Sequence, residues 1–197
     1  LLAQSYRLHD SIKSNYIAGR LDCIAEISAK VLHDNLMGGL PVSNGHWSGE
    51  MGNSLWIPDL DFVPKNKQYS NLNGKSWRQI LSDYGCEKGV WFTNGEIDFA
   101  KTGVVKAEVS IPEGIGTCFS EHDLEIGKRT RLHDTCFAIL AERLGKTVEE
   151  VMKWKDANIY MWHECIDLHT VQLVPQEIHG NLTHQGGVAI LRLVANN

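Results

Sequence analysis

YMWHECIDLHTVQLVPQEIHGNLTHQGG, Tyr160 to Gly187, is the stretch on which the reading of this chain turns. Four of the nine histidines fall between His163 and His184. Neutral imidazole is the commonest metal ligand and the side chain best matched to proton transfer near pH 7. Set beside a carboxylate, Glu164, the cluster points to a metal-assisted hydrolytic site. The local pattern predicts a strand over 159–163 ending at His163-Glu164, then a turn through Asp167. A short β-branched strand follows over 170–174. Pro175 suits the first turn of a helix, which residues 176–180 would form. His184 lies in the loop beyond, before Gly186-Gly187. Strand, turn, strand and short helix would bring His163, His179 and His184 around one point.

Working outward, Thr147-Val148-Glu149-Glu150 is a capping-box sequence, so a helix starts there and runs to about Ala157. Val151, Met152 and Trp154 would be its buried residues. Residues 123–144 read as one helical region with a stripe of Leu132, Phe137, Leu140 and Leu144, ended by Gly145. Residues 105–111 alternate as a strand closed by Pro112. GVWFTNGEIDF, Gly89 to Phe99, is a β-hairpin around Asn94-Gly95, a favoured type I′ pair. Ser76 to Tyr84 is a short helix with Ser76 as N-cap and Gly85 past its end. Residues 41–52 are rich in Gly, Ser, Asn and Pro and read as an ordered, aromatic loop. Residues 1 to about 38 look helical, with Leu21, Ile24, Ala25, Val31, Leu32 and Leu36 at helix spacing.

At 197 residues the chain is long enough for one good core, with 43% hydrophobic and 22% charged residues. It begins Leu1-Leu2-Ala3, without Met and without an apolar leader, which suggests the C-terminal portion of a longer protein. No apolar run approaches the roughly 20 residues that span a bilayer. Five cysteines without a CxxC pair argue against a four-cysteine zinc site and against a disulfide framework. The net charge of −5 counts against a nonspecific basic nucleic-acid coat. One local exception runs from Val63 to Ile80, with Lys65, Lys67, Lys75 and Arg78, no acid, and Tyr69 and Trp77 interleaved. It is a candidate nucleic-acid-binding stretch, or else a solvated loop leading into a helix.

The histidine segment resembles the HNH/endonuclease VII superfamily, and within it the WHH-type and colicin-like DNase toxin domains. The features that carry the resemblance are Trp162-His163-Glu164, Gln172-Leu173-Val174-Pro175, His179, His184 and Gly186-Gly187. It is specific over about residues 147–189, and GHWSGEMGNSLWIPD and GEIDF extend it upstream to about residue 41. It implies an α+β fold with a ββα-metal, treble-clef-like (His-Me) finger at the C-terminus, about 159–190. Helices and a small β-hairpin region would precede the finger. Residues 1–40 would be a helical lead-in or an N-terminal helical layer, and 41–197 the nuclease toxin domain. It also implies a metal-dependent endonuclease acting on DNA, with RNA as the alternative, in a toxin of bacterial competition. The partners would be an upstream delivery region and a cognate immunity protein, with no membrane. Such a toxin is secreted or delivered by its producer and acts in the cytoplasm of the target cell.

One departure matters. Many relatives carry a second histidine where this chain has Glu164. The family motif supplies one metal ligand and one general base. A carboxylate at its usual pKa of about 4 is a weak base for water, which favours His163 as base. The reverse order, His163 as ligand and Glu164 as base, stays open. His179 and His184 would hold one divalent ion (Zn, Ni, Mg or Mn). Histidine ligands favour zinc or nickel over magnesium. Trp162 would anchor the strand, and Gln172 would hold the two strands together. His169 reads as structural, Cys165 as a small packed residue, and His9, His33, His46, His122 and His133 as packed or surface histidines. Two rivals are weaker. The zincin pattern HExxH fails because Asp167 stands where its second histidine belongs. A purely structural zinc finger usually needs four Cys/His ligands.

Overall fold

The computed structural model describes residues 29–64 and 74–195. Its elements in chain order are α1 (Ala29–Gly38), β1 (Gly45–Trp47), β2 (Leu55–Pro58), α2 (Trp77–Asp83), β3 (Val90–Thr93), β4 (Glu96–Ile97) and α3 (Phe99–Thr102). Then come β5 (Ala107–Ser110), one 3₁₀ turn (Ile115–Cys118), α4 (Glu121–Ile126), α5 (Thr130–Leu144) and α6 (Val148–Ala157). The chain ends in β6 (Tyr160–Glu164), β7 (Thr170–Pro175), α7 (Gln176–His179) and α8 (Gly187–Ala195). This is a mixed α+β molecule built on two small antiparallel sheets, ordered β1-β2-β3-β4 and β5-β7-β6.

Strand β7 is the seam between two cores. Side chains alternate faces along a strand. Val171 and Leu173 therefore enter a core shared with Leu132, Phe137 and Leu140 of α5 and with Trp162. Val174 enters a second core with Trp56, Trp77, Phe92 and Phe99. Leu32 and Leu36 fix α1 on the first core. The six-residue β7 is buried at every position but its first, so little of it needs to be polar.

Several local expectations change. The loop expected at 41–52 contains β1, and with β2 it forms one side of the first sheet. Its glycines and asparagines do turn the chain, but Trp47 and Trp56 meet edge to face at 5.2 Å and give the short strands something to pack on. The single helical region at 123–144 is two helices, because Gly127 adopts a left-handed φ of 72° that caps α4. Of the residues expected to be buried in α6, only Val151 is; Met152 and Trp154 are exposed, as are Leu144 of α5 and Val31 of α1. The hairpin turn has positive φ at both Asn94 (54°) and Gly95 (83°), as a type I′ turn requires. Helix α8 had no counterpart in the sequence reading. Residues 1–28, with Leu21, Ile24, Ala25 and His9, lie outside the described residues.

Candidate active site

The register of β6 on β7 sets the site. Trp162 stands opposite Leu173 and His163 opposite Gln172, which in turn stands opposite Glu108 of β5. Trp162 goes into the first core, where it meets Phe137 edge to face at 5.5 Å. Its neighbour His163 must then point to the other face. Gln172 donates from Nε2 to Glu108 Oε2 at 2.9 Å and ties the central strand to its edge. The β6–β7 turn is closed by Asp167, which accepts from the amides of His169 and Thr170 at 2.9 and 2.8 Å. His169 is held by Nδ1 to Ile111 O at 3.0 Å, a structural role.

Pro175 turns the chain into α7, whose last residue is His179. His184 follows in the loop, and its Nδ1 donates to Leu182 O at 2.9 Å, which leaves Nε2 as the nitrogen with a lone pair. Ring centroids stand 5.2 Å apart for His163 and His179, 5.3 Å for His163 and His184, and 4.6 Å for His179 and His184. One nitrogen from each ring lies within 4.8 Å of the others, the spacing of a metal triad. Phe99 of α3 packs against all three rings.

Gly186 and Gly187 let the backbone close over this cluster. A Cβ at Gly187 would lie 2.5 Å from Cys165 O, and one at Gly186 would lie 2.8 Å from Glu164 O and 3.3 Å from His163 Cε1. Residues 155–193 match the WHH family. That family is described as a nuclease of the HNH/ENDO VII superfamily with conserved WHH. Neither the curated proteins nor the solved structures contain a match. The matched segment contains Trp162-His163-Glu164, a tryptophan–histidine pair followed by glutamate.

Glu164 lines the same cavity as the histidines and meets helix α5 and the residue before it. Arg129 Nε stands 3.2 Å from Glu164 Oε1 in an ion pair, and His133 Nε2 lies 3.4 Å from the same oxygen. Burial alone would raise its carboxyl. The hydrogen bond from His133 and the Arg129 guanidinium outweigh that and hold it below the ordinary carboxylate value. Burial, then the neighbouring histidines, drives His179 well below the usual imidazole value, and burial with His163 lowers His184 to about 4. Both rings are neutral at pH 7, the form that binds metals.

A cavity of about 210 Å³ holds the cluster, lined by the three histidines together with Arg129, Glu164 and Arg192. Two larger cavities flank it. One of about 560 Å³ shares Arg129, Glu164 and His179 and opens along α5 and α6. One of about 670 Å³ shares His184 and Gln185 and runs between α1, Trp56 and Trp77.

Three groups at the site escaped the sequence reading. His133, which reads from the sequence as a packed or surface histidine, contacts Glu164. Arg129 lines the cavity from 33 positions upstream of Trp162, where the motif begins. Glu96 reaches His163 from β4, within the GEIDF segment. The basic stretch gives less than expected. Lys75 bridges Asp83 and the buried Glu177 at 2.8 and 2.9 Å, and Arg78 pairs with Asp61 at 2.9 Å. Neither lines the histidine cavity. Lys65 and Lys67 lie outside the described residues.

Proposed function

We propose that this chain is a metal-dependent endonuclease of the WHH type that hydrolyses phosphodiester bonds in DNA. The observation that carries the reading is the convergence of one buried histidine, His163, and two half-buried ones, His179 and His184, all within the segment that matches the WHH family and beside the Arg129–Glu164 pair. The donor set suits a divalent transition ion. Two of the rings are kept neutral, and His179 Nδ1 is buried without a hydrogen-bond partner, a costly state that a cation among the rings would relieve. His163, His179 and His184 would hold the ion. When bound, it would supply Lewis-acid stabilisation of charge on the scissile phosphate.

The grouping supports the reverse of the assignment first favoured for the motif. His163 belongs with the ligands, and its Nε2 is already engaged by Glu96 at 3.2 Å. Glu164 then takes the place of the motif's second histidine and orients the attacking water. A carboxylate held below its ordinary value is a weak base by itself. His133, one-third exposed, donates from Nε2 to Glu164 Oε1 and with Arg129 holds the carboxylate in place, so the water's proton would pass to Glu164 itself. Arg129 is 38% exposed and is the cation nearest this pair, so it would contact a phosphate oxygen on entry. Gln172 acts through the sheet and touches no substrate.

The biological setting proposed with this activity is a toxin domain of bacterial competition. An upstream region would deliver it, it would act in the cytoplasm of a target cell, and an immunity protein would restrain it in the producer. With a net charge of −5, the chain would meet that partner through a mixed rather than a purely basic surface. The reading is tested by plasmid nicking with Zn²⁺, Ni²⁺, Mn²⁺, Mg²⁺ or EDTA, with the wild type and His163→Ala. Cleavage that needs metal and disappears in the variant supports it. Intact plasmid with cleaved tRNA would move the substrate to RNA. Inertness toward both nucleic acids would overturn it.

A further inference from the structure

We propose that Glu96 is the positioning residue of the triad, fixing His163 as the Nε2–H tautomer so that Nδ1 is presented to the metal. The inference rests on the reading of His163, His179 and His184 as ligands. It begins with the hairpin. Asn94 and Gly95 are both pinned, Asn94 N to Asn53 Oδ1 at 2.8 Å and Gly95 N to Gly52 O at 3.0 Å. Glu96 leaves that turn with one oxygen already assigned. Its Oε1 accepts from the amide of Ile166 at 2.8 Å, in the turn after β6. The same oxygen accepts from His163 Nε2 at 3.2 Å. A carboxylate fixed by a backbone amide can only accept, so the imidazole nitrogen that faces it must carry the proton. The lone pair then sits on Nδ1.

The two nitrogens of His163 also face different spaces. Glu96 and Cys165 line a polar cavity that none of the three histidines lines. Gly186 lines the histidine cavity, and a Cβ built there would lie 3.7 Å from Nδ1. His163 is 1% exposed, so no solvent competes for Nε2. Glu96, His163 and Cys165 are close enough to one another to be considered a separate metal triple. The Ile166 amide bond to Glu96 argues for a hydrogen-bond acceptor there instead. A carboxylate accepting from the far nitrogen of a metal-bound imidazole fixes its orientation and raises its basicity, and loss of such a partner typically costs about 10–100-fold in metal affinity.

The test uses the full chain, with Zn²⁺ affinity read by competition against a chromogenic chelator. The His163 tautomer is read from ¹⁵N shifts of the metal-free protein. In Glu96→Ala, Zn²⁺ affinity should fall about 10–100-fold and the Nε2–H tautomer should lose its dominance. Glu96→Gln retains an amide oxygen for both donors, so the tautomer should persist with a smaller loss of affinity. A purely structural role for Glu96 would not produce that split, and should Glu96→Ala fail to fold, Glu96→Gln carries the test. Wild-type affinity in the folded variants, or an Nδ1–H tautomer in the wild type, overturns the proposal. Failure of the wild type to bind Zn²⁺ would overturn the metal reading itself, a result the tautomer measurement keeps separate.

Discussion

His163 stands between two regions that treat a carboxylate in opposite ways. On the hairpin side, Glu96 meets the donors of His163 and Ile166, with the side chain of Cys165 close by. On the helix side, Glu164 meets Arg129 and His133, two groups that carry or can carry positive charge. The first region shapes a ligand; the second shapes the charge that an incoming phosphate and water would encounter. Neighbouring positions on one strand thus feed different tasks, because alternation sends adjacent side chains to different surroundings.

The largest expected effect separates the triad from everything around it. His179→Ala or His184→Ala should abolish tight Zn²⁺ binding and lower plasmid nicking by at least about a thousandfold. Next is Glu164→Ala, expected to cut kcat by about 10²–10⁴ while Zn²⁺ affinity stays within about threefold. If its Zn²⁺ affinity collapses as in the histidine variants, Glu164 is a ligand and the contrast between the two regions fails.

The remaining predictions concern stability and have smaller effects. Gly187→Ala places a methyl against Cys165 O and Ile115, and should cost about 1–3 kcal/mol in urea unfolding. Arg78→Ala removes only an exposed pair with Asp61, so stability should change by less than about 1 kcal/mol. The salt dependence of DNA binding should barely move; a slope reduced by a full unit would return the basic stretch to the substrate path. The smallest effect belongs to the α6 cap. The Thr147 amide and hydroxyl hold the Glu150 carboxyl below its ordinary value. A depressed folded-state pKa gives stability that is present above the unfolded value and lost as pH falls through the folded one. The melting-temperature difference between wild type and Glu150→Gln should therefore be seen at pH 7 and vanish near pH 2.

Much of the histidine segment was legible because it is local. His163, His179 and His184 lie on one short strand–strand–helix run, and β-branched residues, Pro175 and the paired glycines each mark a turn of it. The capping box of α6 and the Asn94-Gly95 turn were legible for the same reason. What the sequence could not show was tertiary. Glu96 reaches His163 across 67 positions and His133 reaches Glu164 across 31, and neither spacing leaves a periodic trace. Strands β1 and β2 were hidden because three or four residues are too short to display alternation among so many turn residues. The interrupted helix at Gly127 and the exposed Met152 and Trp154 show the converse limit: apolar spacing does not say whether a partner face exists.

Phe99 has a consequence beyond packing. Its ring centroid lies 4.9, 5.9 and 6.5 Å from those of His163, His179 and His184, and Phe99 itself is fully buried in the second core. It works as a spacer that sets the gaps between the imidazoles before anything binds. Rotamer entropy lost on binding elsewhere has here been surrendered during folding. If the triad holds a metal as proposed, an arriving cation would find its coordination distances already laid out, and capture would proceed with little rearrangement of the chain. On that reading, part of the site's selectivity among ions would reside in a hydrocarbon ring that donates nothing to them.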